Sequence, residues 1–410
     1  MELALQIQAD SDVPLHQQVY EQIRAAILTG RVRSHQRLPA SRQLAKSLGI
    51  SRTTVTESYD QLISEGYLET RLGAGTFVCA RVPDEMLQTP AETGKSSRTG
   101  LKIASSELRL SSYGQRLQKM ADRPHIADSE LSFQYGIPAM DLFPIQQWRR
   151  LQGRYATAGT GWMDYAKEPM GYGPLRSQIA QYVSQARAVR CEPEQVLVTS
   201  GTQQALSLIM RVLVDPKEAI ALENPGYLSA RRIFISSGAT VTPVPVDSEG
   251  LQISGPEGLW ARSEPKLVYV TPSHQFPTGV LMSLSRRLAL LQWAQQTNGL
   301  IIEDDYDSEF RYSGRPVPAL QGLDSYDRVL YVGTFSKVMF PGLRLGYIVL
   351  PPALISVFRR ARWLNDRQSS LIDQQALTDF IGEGHLAKHV RRMRNIYEGS
   401  RRSLVEVLSQ

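Results

Sequence analysis

A chain of 410 residues exceeds one ordinary core, and a composition of 42% hydrophobic and 21% charged residues excludes global disorder. No apolar run approaches the ~18 residues of a membrane span, and residues 1–10 lack the basic and apolar regions of a signal peptide, so a cytoplasmic chain is expected. The two cysteines, Cys79 and Cys191, lie far apart without metal-ligand spacing, which argues against a disulfide framework or zinc site, while a net charge of +6 permits nucleic-acid binding without establishing it.

Leu15, Val19, Ile23 and Ile27 recur every four residues and predict an amphipathic helix closed near Gly30. Leu44, Ala45 and Leu48 supply the buried face of a second short helix, with Ser41 as a cap near its start and Gly49 at its end. A third helix begins at Ser51, buries Val55, Tyr59, Leu62 and Ile63, and crowds Arg52, Thr53, Thr54 and Thr56 around its first turns. Short donors and an arginine at the amino end of a helix after a tight turn suit a recognition helix facing phosphates and base edges. Residues 67–78 read as two strands around a Gly-containing turn, a wing. No acidic residue occurs from Gln22 to Thr56, whereas Arg24, Arg31, Arg33, Arg37, Arg42, Lys46 and Arg52 do, as a phosphate-facing surface requires. A three-helix packing module whose Ser/Thr cluster only starts a helix is the plainer alternative.

The run from Pro14 to Val78, with Leu38-Pro39-Ala40-Ser41-Arg42 and Gly66-Tyr67-Leu68 in register, resembles the GntR-type winged helix. The resemblance implies binding to double-stranded DNA, with Arg42, Arg52, Thr53, Thr54 and Gly73 at DNA-contacting positions. Thr56 stands where some relatives carry arginine and Leu72 where some carry a wing-tip histidine, so base preference does not carry over. From Arg81 to about Glu107 periodicity gives way to Pro, Gly, Ser and Thr, which reads as a flexible tether, or else as a long surface loop.

Beyond Glu194, short apolar runs alternate with helical stretches: Val196 to Thr199, Ala219 to Leu222, Lys266 to Val270, Leu300 to Glu303, Val329 to Val332 and Tyr347 to Leu350. That rhythm predicts an α/β domain with a mostly parallel sheet, whose ligands collect at the carboxyl ends of the strands. Ser200-Gly201-Thr202-Gln203-Gln204 leads into a helix whose N–H groups and Thr202 can cradle a phosphate. Asn224-Pro225-Gly226-Tyr227 can present a ring for stacking, although packing alone would also explain Tyr227. The strand at Leu300 delivers Asp304, Asp305 and Tyr306; a carboxylate there can keep a pyridine nitrogen protonated, while a bare Asp-Asp pair also suits metal ligation or a helix cap. Ser336-Lys337 and Arg344 add an imine-forming amine and an anion clamp.

Cradle, stacker, carboxylate, lysine and guanidinium follow in the order of fold-type I pyridoxal 5'-phosphate (PLP) proteins, which the chain resembles from about Leu131 onward, including Leu142-Phe143-Pro144 with Trp148 and Gly171-Tyr172-Gly173-Pro174-Leu175-Arg176. The resemblance implies PLP held as an imine on Lys337, the catalytic lysine of such proteins, with Asp304 on the pyridine nitrogen, Tyr306 on the ring oxygen and Tyr227 stacked on the ring. Gly201, Thr202, Gln203, Ser336 and Arg344 fall at the phosphate. Tyr165 matches a tyrosine that reaches the neighbouring subunit's phosphate, which implies a homodimer. Two departures stand out. Phe276 precedes Pro277-Thr278-Gly279 where aminotransferases place asparagine, so His274 or Gln275 is expected to take over the ring-oxygen contact. The basic stretch Arg391-Arg392-Met393-Arg394 opens a helix expected to run to Gln410, a solvated face without the usual small C-terminal domain.

A winged helix ahead of such a domain resembles the MocR subfamily of GntR-type regulators. It implies a DNA-binding domain over residues 1–80, a linker over 81–107 and an aminotransferase-like PLP domain over 108–410. The function implied is a bacterial transcription regulator that binds DNA and senses PLP, or an amine or amino-acid effector, through Lys337. An aminotransferase carrying a DNA-binding module is the alternative, and a DNA-binding dimer with an inert scaffold is a third.

Overall fold

The computed structural model describes residues 5–8, 13–71, 73–80, 82, 109–120, 135–165, 167–262, 264–312 and 317–409. The chain divides into two compact units, residues 1–106 and 107–410. Apart from Val82, the expected linker lies outside the described residues, as does Leu72.

In the first unit, helices α1 (Leu15–Leu28), α2 (Ser41–Leu48) and α3 (Arg52–Ser64) precede a hairpin of β1 (Leu68–Arg71) and β2 (Gly75–Val78). Val19, Ile23, Val55, Leu62 and Val78 are wholly buried, so the four-residue apolar rhythm of α1 packs on α3 and the wing. Ser51 caps α3, its Oγ accepting from the Thr54 N–H at 3.1 Å. The expected Ser41 cap is corrected: Ala40 holds that position, no side chain caps α2, and Ser41 is already helical. Gly49 closes α2 at φ +69°, a left-handed conformation that suits glycine. Ile63 is only half-buried, while Ser58 is buried and donates to His16 O across to α1. The wing also gains an unpredicted third piece: Leu38 N donates to Thr76 O and Val78 N to Gln36 O.

The second unit opens with α4 (Ser112–Gln118), α5 (Ile145–Thr157) and α6 (Gly173–Arg187), then alternates β3 (Val196–Thr199), α7 (Thr202–Leu213), β4 (Ala219–Asn224) and α8 (Leu228–Ser237). Strands β5 (Thr240–Asp247), β6 (Gly250–Leu251) and β7 (Leu267–Val270) lead to α9 (Leu284–Thr297), β8 (Leu300–Asp305), α10 (Leu320–Leu323), β9 (Val329–Thr334) and β10 (Gly346–Val349). Helices α11 (Ile355–Asn365), α12 (Leu371–Gly382) and α13 (His385–Leu408) complete the unit.

One eight-stranded sheet has the order β3-β10-β9-β8-β7-β4-β5-β6. Strands β4, β5, β7, β8 and β9 run parallel, whereas β10 is antiparallel to β3 and β9, and β6 to β5. Strand residues alternate between two apolar layers: Leu197 and Tyr269 face α7, α8 and α11, while Val196 and Val198 face α5, α6, α12 and α13. Six strands match the apolar runs, but β5 was not predicted. Its Thr-Val-Thr-Pro-Val-Pro-Val-Asp sequence carries two prolines, which lack donors, and it is tolerated because only the two-residue β6 continues the sheet beyond it. On α13, Arg391 and Arg392 are exposed and Arg394 donates to Glu309 O, so the basic run is a solvated helix face. Among the described residues no helix is long and apolar enough to cross a membrane.

Candidate functional site

The parallel strands end on one edge of the sheet, and the predicted cofactor residues emerge there. After β3 the chain turns at Gly201 (φ +89°), the N-cap of α7, so the first amides of α7 point out of the turn. Arg344 reaches the same turn, donating to Ser200 O at 2.7 Å, and a Cβ on Gly201 would lie 3.3 Å from its guanidinium nitrogens. A helix amino end and a guanidinium thus converge on one spot, which suits a phosphate. Thr202 and Ser336 are half-buried, and Ser336 N donates to Thr334 Oγ1. Gln203 is exposed; the neighbouring Gln204 braces the turn, accepting from Ser200 N and donating to Asp366.

Adjacent acids on β8 point to opposite faces of the sheet. Asp304 is 3% exposed; Oδ2 accepts from the Tyr269 hydroxyl at 2.6 Å, while Oδ1 is buried without a hydrogen-bond partner among the described residues. Burial, with Asp305 and Asp307 nearby, outweighs the Tyr269 bond and pushes the carboxyl up to about 7. Asp305 is locked on the other face by Arg187 at 2.7 Å and the Tyr331 hydroxyl at 2.6 Å. The pair is therefore split, as alternation along a strand requires, and cannot act as a two-carboxylate metal site.

Lys337, half-buried just beyond β9, donates from Nζ to Gly136 O at 2.7 Å. Burial pulls its ammonium below the ordinary range, against the pull of Asp307 and Asp304. Tyr227 caps α8 after a cis Asn224–Pro225 bond, and Phe276, before a cis bond to Pro277, meets the rings of Tyr227 at 5.7 Å, Tyr306 at 6.3 Å and Tyr135 at 5.0 Å. Burial keeps the Tyr306 hydroxyl protonated far above its ordinary range. His274 pairs with Asp307 at 2.8 Å, and Gln275 turns inward with its amide bonded to Pro225 O, so neither side chain waits unengaged for a ring oxygen. Tyr165 is 68% exposed beneath the guanidinium of Arg367, 4.2 Å from its ring.

Taken together, an orphaned buried carboxylate oxygen, an anion cradle and a lysine with depressed basicity fit PLP, whose pyridine nitrogen, phosphate and aldehyde need those three partners. On the first unit, Arg42, Arg52 and Thr53 are exposed, and Gly73 turns the wing at φ +75°. Thr54 is half-buried, with its hydroxyl 2.8 Å from Ser51 Oγ, so capping already engages part of it.

The profile described as "Bacterial regulatory proteins, gntR family" matches residues 15–78, and "Aminotransferase class I and II" matches residues 135–410. The probable rhizopine catabolism regulatory protein MocR of Rhizobium meliloti is 43% identical over 400 residues, 96% of this chain and 77% of that protein. The pyridoxine biosynthesis transcriptional regulator PdxR of Corynebacterium glutamicum is 34% identical, over 95% of this chain and 77% of its own length. The chain belongs to the MocR subfamily of GntR-type transcription regulators. Its sheet domain is also similar to Pyrococcus horikoshii kynurenine aminotransferase in complex with PMP (28% identical, TM-score 0.63, 76% of this chain and 77% of that one). The α-aminoadipate aminotransferase LysN of Thermus thermophilus, complexed with N-(5'-phosphopyridoxyl)-L-leucine, is 31% identical at TM-score 0.63, covering 68% of this chain and 71% of that one.

This MocR-type protein therefore joins a DNA-binding winged helix to a PLP-dependent aminotransferase-like domain. Its cofactor site contains residues that no local motif announced. Tyr269 reads as one more apolar strand residue, and only pairing of β7 with β8 brings it to Asp304. Gly136 lies 201 positions from Lys337, and Glu223 looks like the end of an ordinary strand although it is wholly enclosed.

Proposed function

We propose that this MocR-type regulator binds double-stranded DNA through Arg42, Arg52, Thr53, Thr54 and Gly73, and holds PLP at the carboxyl edge of its sheet, where a small amine or amino acid is sensed. It works as a cytoplasmic homodimer in which Tyr165 serves the neighbouring subunit's phosphate site, with residues 81–107 tethering the domain at 1–80 to that at 108–410. Bound PLP supplies an aldehyde that condenses with amines and a ring that withdraws electrons. The chain's own groups do the rest. Lys337, whose ammonium burial makes easier to deprotonate, would hold the aldehyde. Asp304 Oδ1 would accept from the protonated pyridine nitrogen and so keep it protonated, with Tyr269 holding that carboxylate in place through Oδ2. Arg344, the α7 amino end at Gly201, Thr202 and Gln203, and Ser336 bind the phosphate; Tyr227 stacks on the ring, and the Tyr306 hydroxyl donates to its oxygen. An effector that competes with Lys337 for the aldehyde changes DNA binding only if it favours one conformation over the other.

The single observation that carries this reading is the unpartnered, buried Oδ1 of Asp304, an oxygen whose burial is costly unless a ligand proton meets it. Adding PLP to the wild type is expected to produce a visible absorption band that Lys337→Ala lacks while retaining its fold. Equal spectra would overturn the assignment.

A further inference from the structure

Two loops that wall the cofactor site are joined by a buried polar clasp. Glu223, near the end of β4, is 2% exposed; its Oε2 accepts from the Thr271 backbone N–H at 3.2 Å and the Thr271 hydroxyl at 2.7 Å, just beyond β7. Gln275 is 1% exposed, and its Nε2 donates to Pro225 O at 2.8 Å and lies 3.3 Å from Glu223 Oε2. On the other side of the same amide, Oε1 accepts from the Thr278 N–H at 3.1 Å and the Thr278 hydroxyl at 2.6 Å. Phe276 N completes the clasp by donating to Thr271 Oγ1 at 3.0 Å. The loop after β4 ends in Tyr227, and the loop after β7 carries Phe276. Their rings meet edge-on, with an interplanar angle of 79°.

We infer that Gln275 and Glu223 are positioning residues for the cofactor: through the clasp they fix the Tyr227 ring as a stacking face and Phe276 as an apolar wall between Tyr227 and Tyr306. The inference rests on the cofactor reading above. The chemistry of the amide makes it specific. Position 275 must donate to Pro225 O and accept from Thr278 at once, which an amide does, a carboxylate cannot and a hydrocarbon fails at both ends. A fully satisfied buried amide also has one orientation, so it locks the two loops in one register. Glu223 accepts from Thr271 and Gln275 on Oε2 while its Oε1 is buried without a partner among the described residues, so Glu223→Gln either turns a donor toward those donors or buries an unmet N–H, and is expected to loosen the loops.

The test is a PLP titration of the wild type and of Gln275→Leu, Gln275→Glu, Glu223→Gln and Thr278→Ala, read by visible absorption across pH. Both Gln275 variants are expected to raise the PLP dissociation constant roughly tenfold and to move the pH midpoint of the visible band; Thr278→Ala, at an exposed position, moves both the same way by about two- to threefold. Glu223→Gln moves both in the same direction by about two- to threefold. Because Gln275 acts through Tyr227, Gln275→Leu placed on Tyr227→Ala adds less than about twofold. In the cofactor-free protein Gln275→Leu speeds hydrogen exchange at residues 226–228. Unchanged affinity and midpoint in a folded Gln275→Leu, or full additivity with Tyr227→Ala, overturns the positioning role. If Gln275→Leu does not fold, Thr278→Ala decides, and its identity with the wild type overturns the proposal. A wild type that gains no visible band overturns the cofactor reading and the positioning role together, whereas unaffected variants of a PLP-binding wild type overturn the positioning role alone.

Discussion

At Asp304, burial and bonding pull in opposite directions, and burial wins: the carboxyl rises from its ordinary 3.8 to about 7 despite the Tyr269 bond. Folded Asp304 therefore keeps a proton over a pH range where the unfolded chain has released it. Its contribution to stability is fully present below the unfolded value and is lost as pH rises through about 7. Asp304→Asn in the cofactor-free protein is expected to flatten the fall of the denaturant midpoint between about pH 4 and 7, and an unchanged slope would show that other acids dominate it. Asp304 and Lys337 stood out as candidates in the sequence because each lies at or just beyond the carboxyl end of an apolar run of the parallel sheet, where ligands collect, whereas Arg344 precedes the antiparallel β10, whose start falls on that same edge. Their partners did not stand out. Tyr269, Gly136 and Glu223 matter only through bonds to residues distant in sequence, and an isolated Tyr, Gly or Glu carries no such signal.

Between elements, a buried ion pair joins α6 to β8. Arg187, the last residue of α6, pairs with Asp305 at 2.7 Å, with side-chain exposures of 8% and 1%, and also donates to Val317 O. Removing one partner of a buried pair strands the other charge, so Arg187→Ala is expected to destabilise the second unit by about 3–5 kcal/mol in chemical denaturation. Because Asp305 faces away from Asp304, the PLP absorption band of the folded variant should keep its position. A stability loss below about 1 kcal/mol would mean that the pair is dispensable. Periodicity found α1, α3 and six strands of the large sheet. It missed β5, whose prolines suppress the strand signal and are tolerated only near an edge, and it placed the α2 cap one residue late, since a serine can start a helix as readily as cap it.

For the whole molecule, DNA affinity should be electrostatic in large part, because the first unit bears an acid-free stretch from Gln22 to Thr56 with exposed Arg42 and Arg52. Arg52→Ala is expected to weaken binding to the DNA upstream of the protein's own gene and to lower the slope of log affinity against log salt by about one, measured by fluorescence anisotropy. Binding and slope equal to the wild type would remove Arg52 from the interface. Repeating apolar periods and strand-end motifs are local properties of a chain, so the winged helix, the mostly parallel sheet and the candidate PLP-binding residues could be read from the sequence alone. Only the tertiary structure decided that Asp304 and Asp305 serve opposite faces, that Tyr269 holds the first and Arg187 the second, and that Gln275 joins the loops of Tyr227 and Phe276. The reason is physical: strand pairing and burial set partners and desolvation across tens to hundreds of residues, and neither is written in any short stretch of sequence.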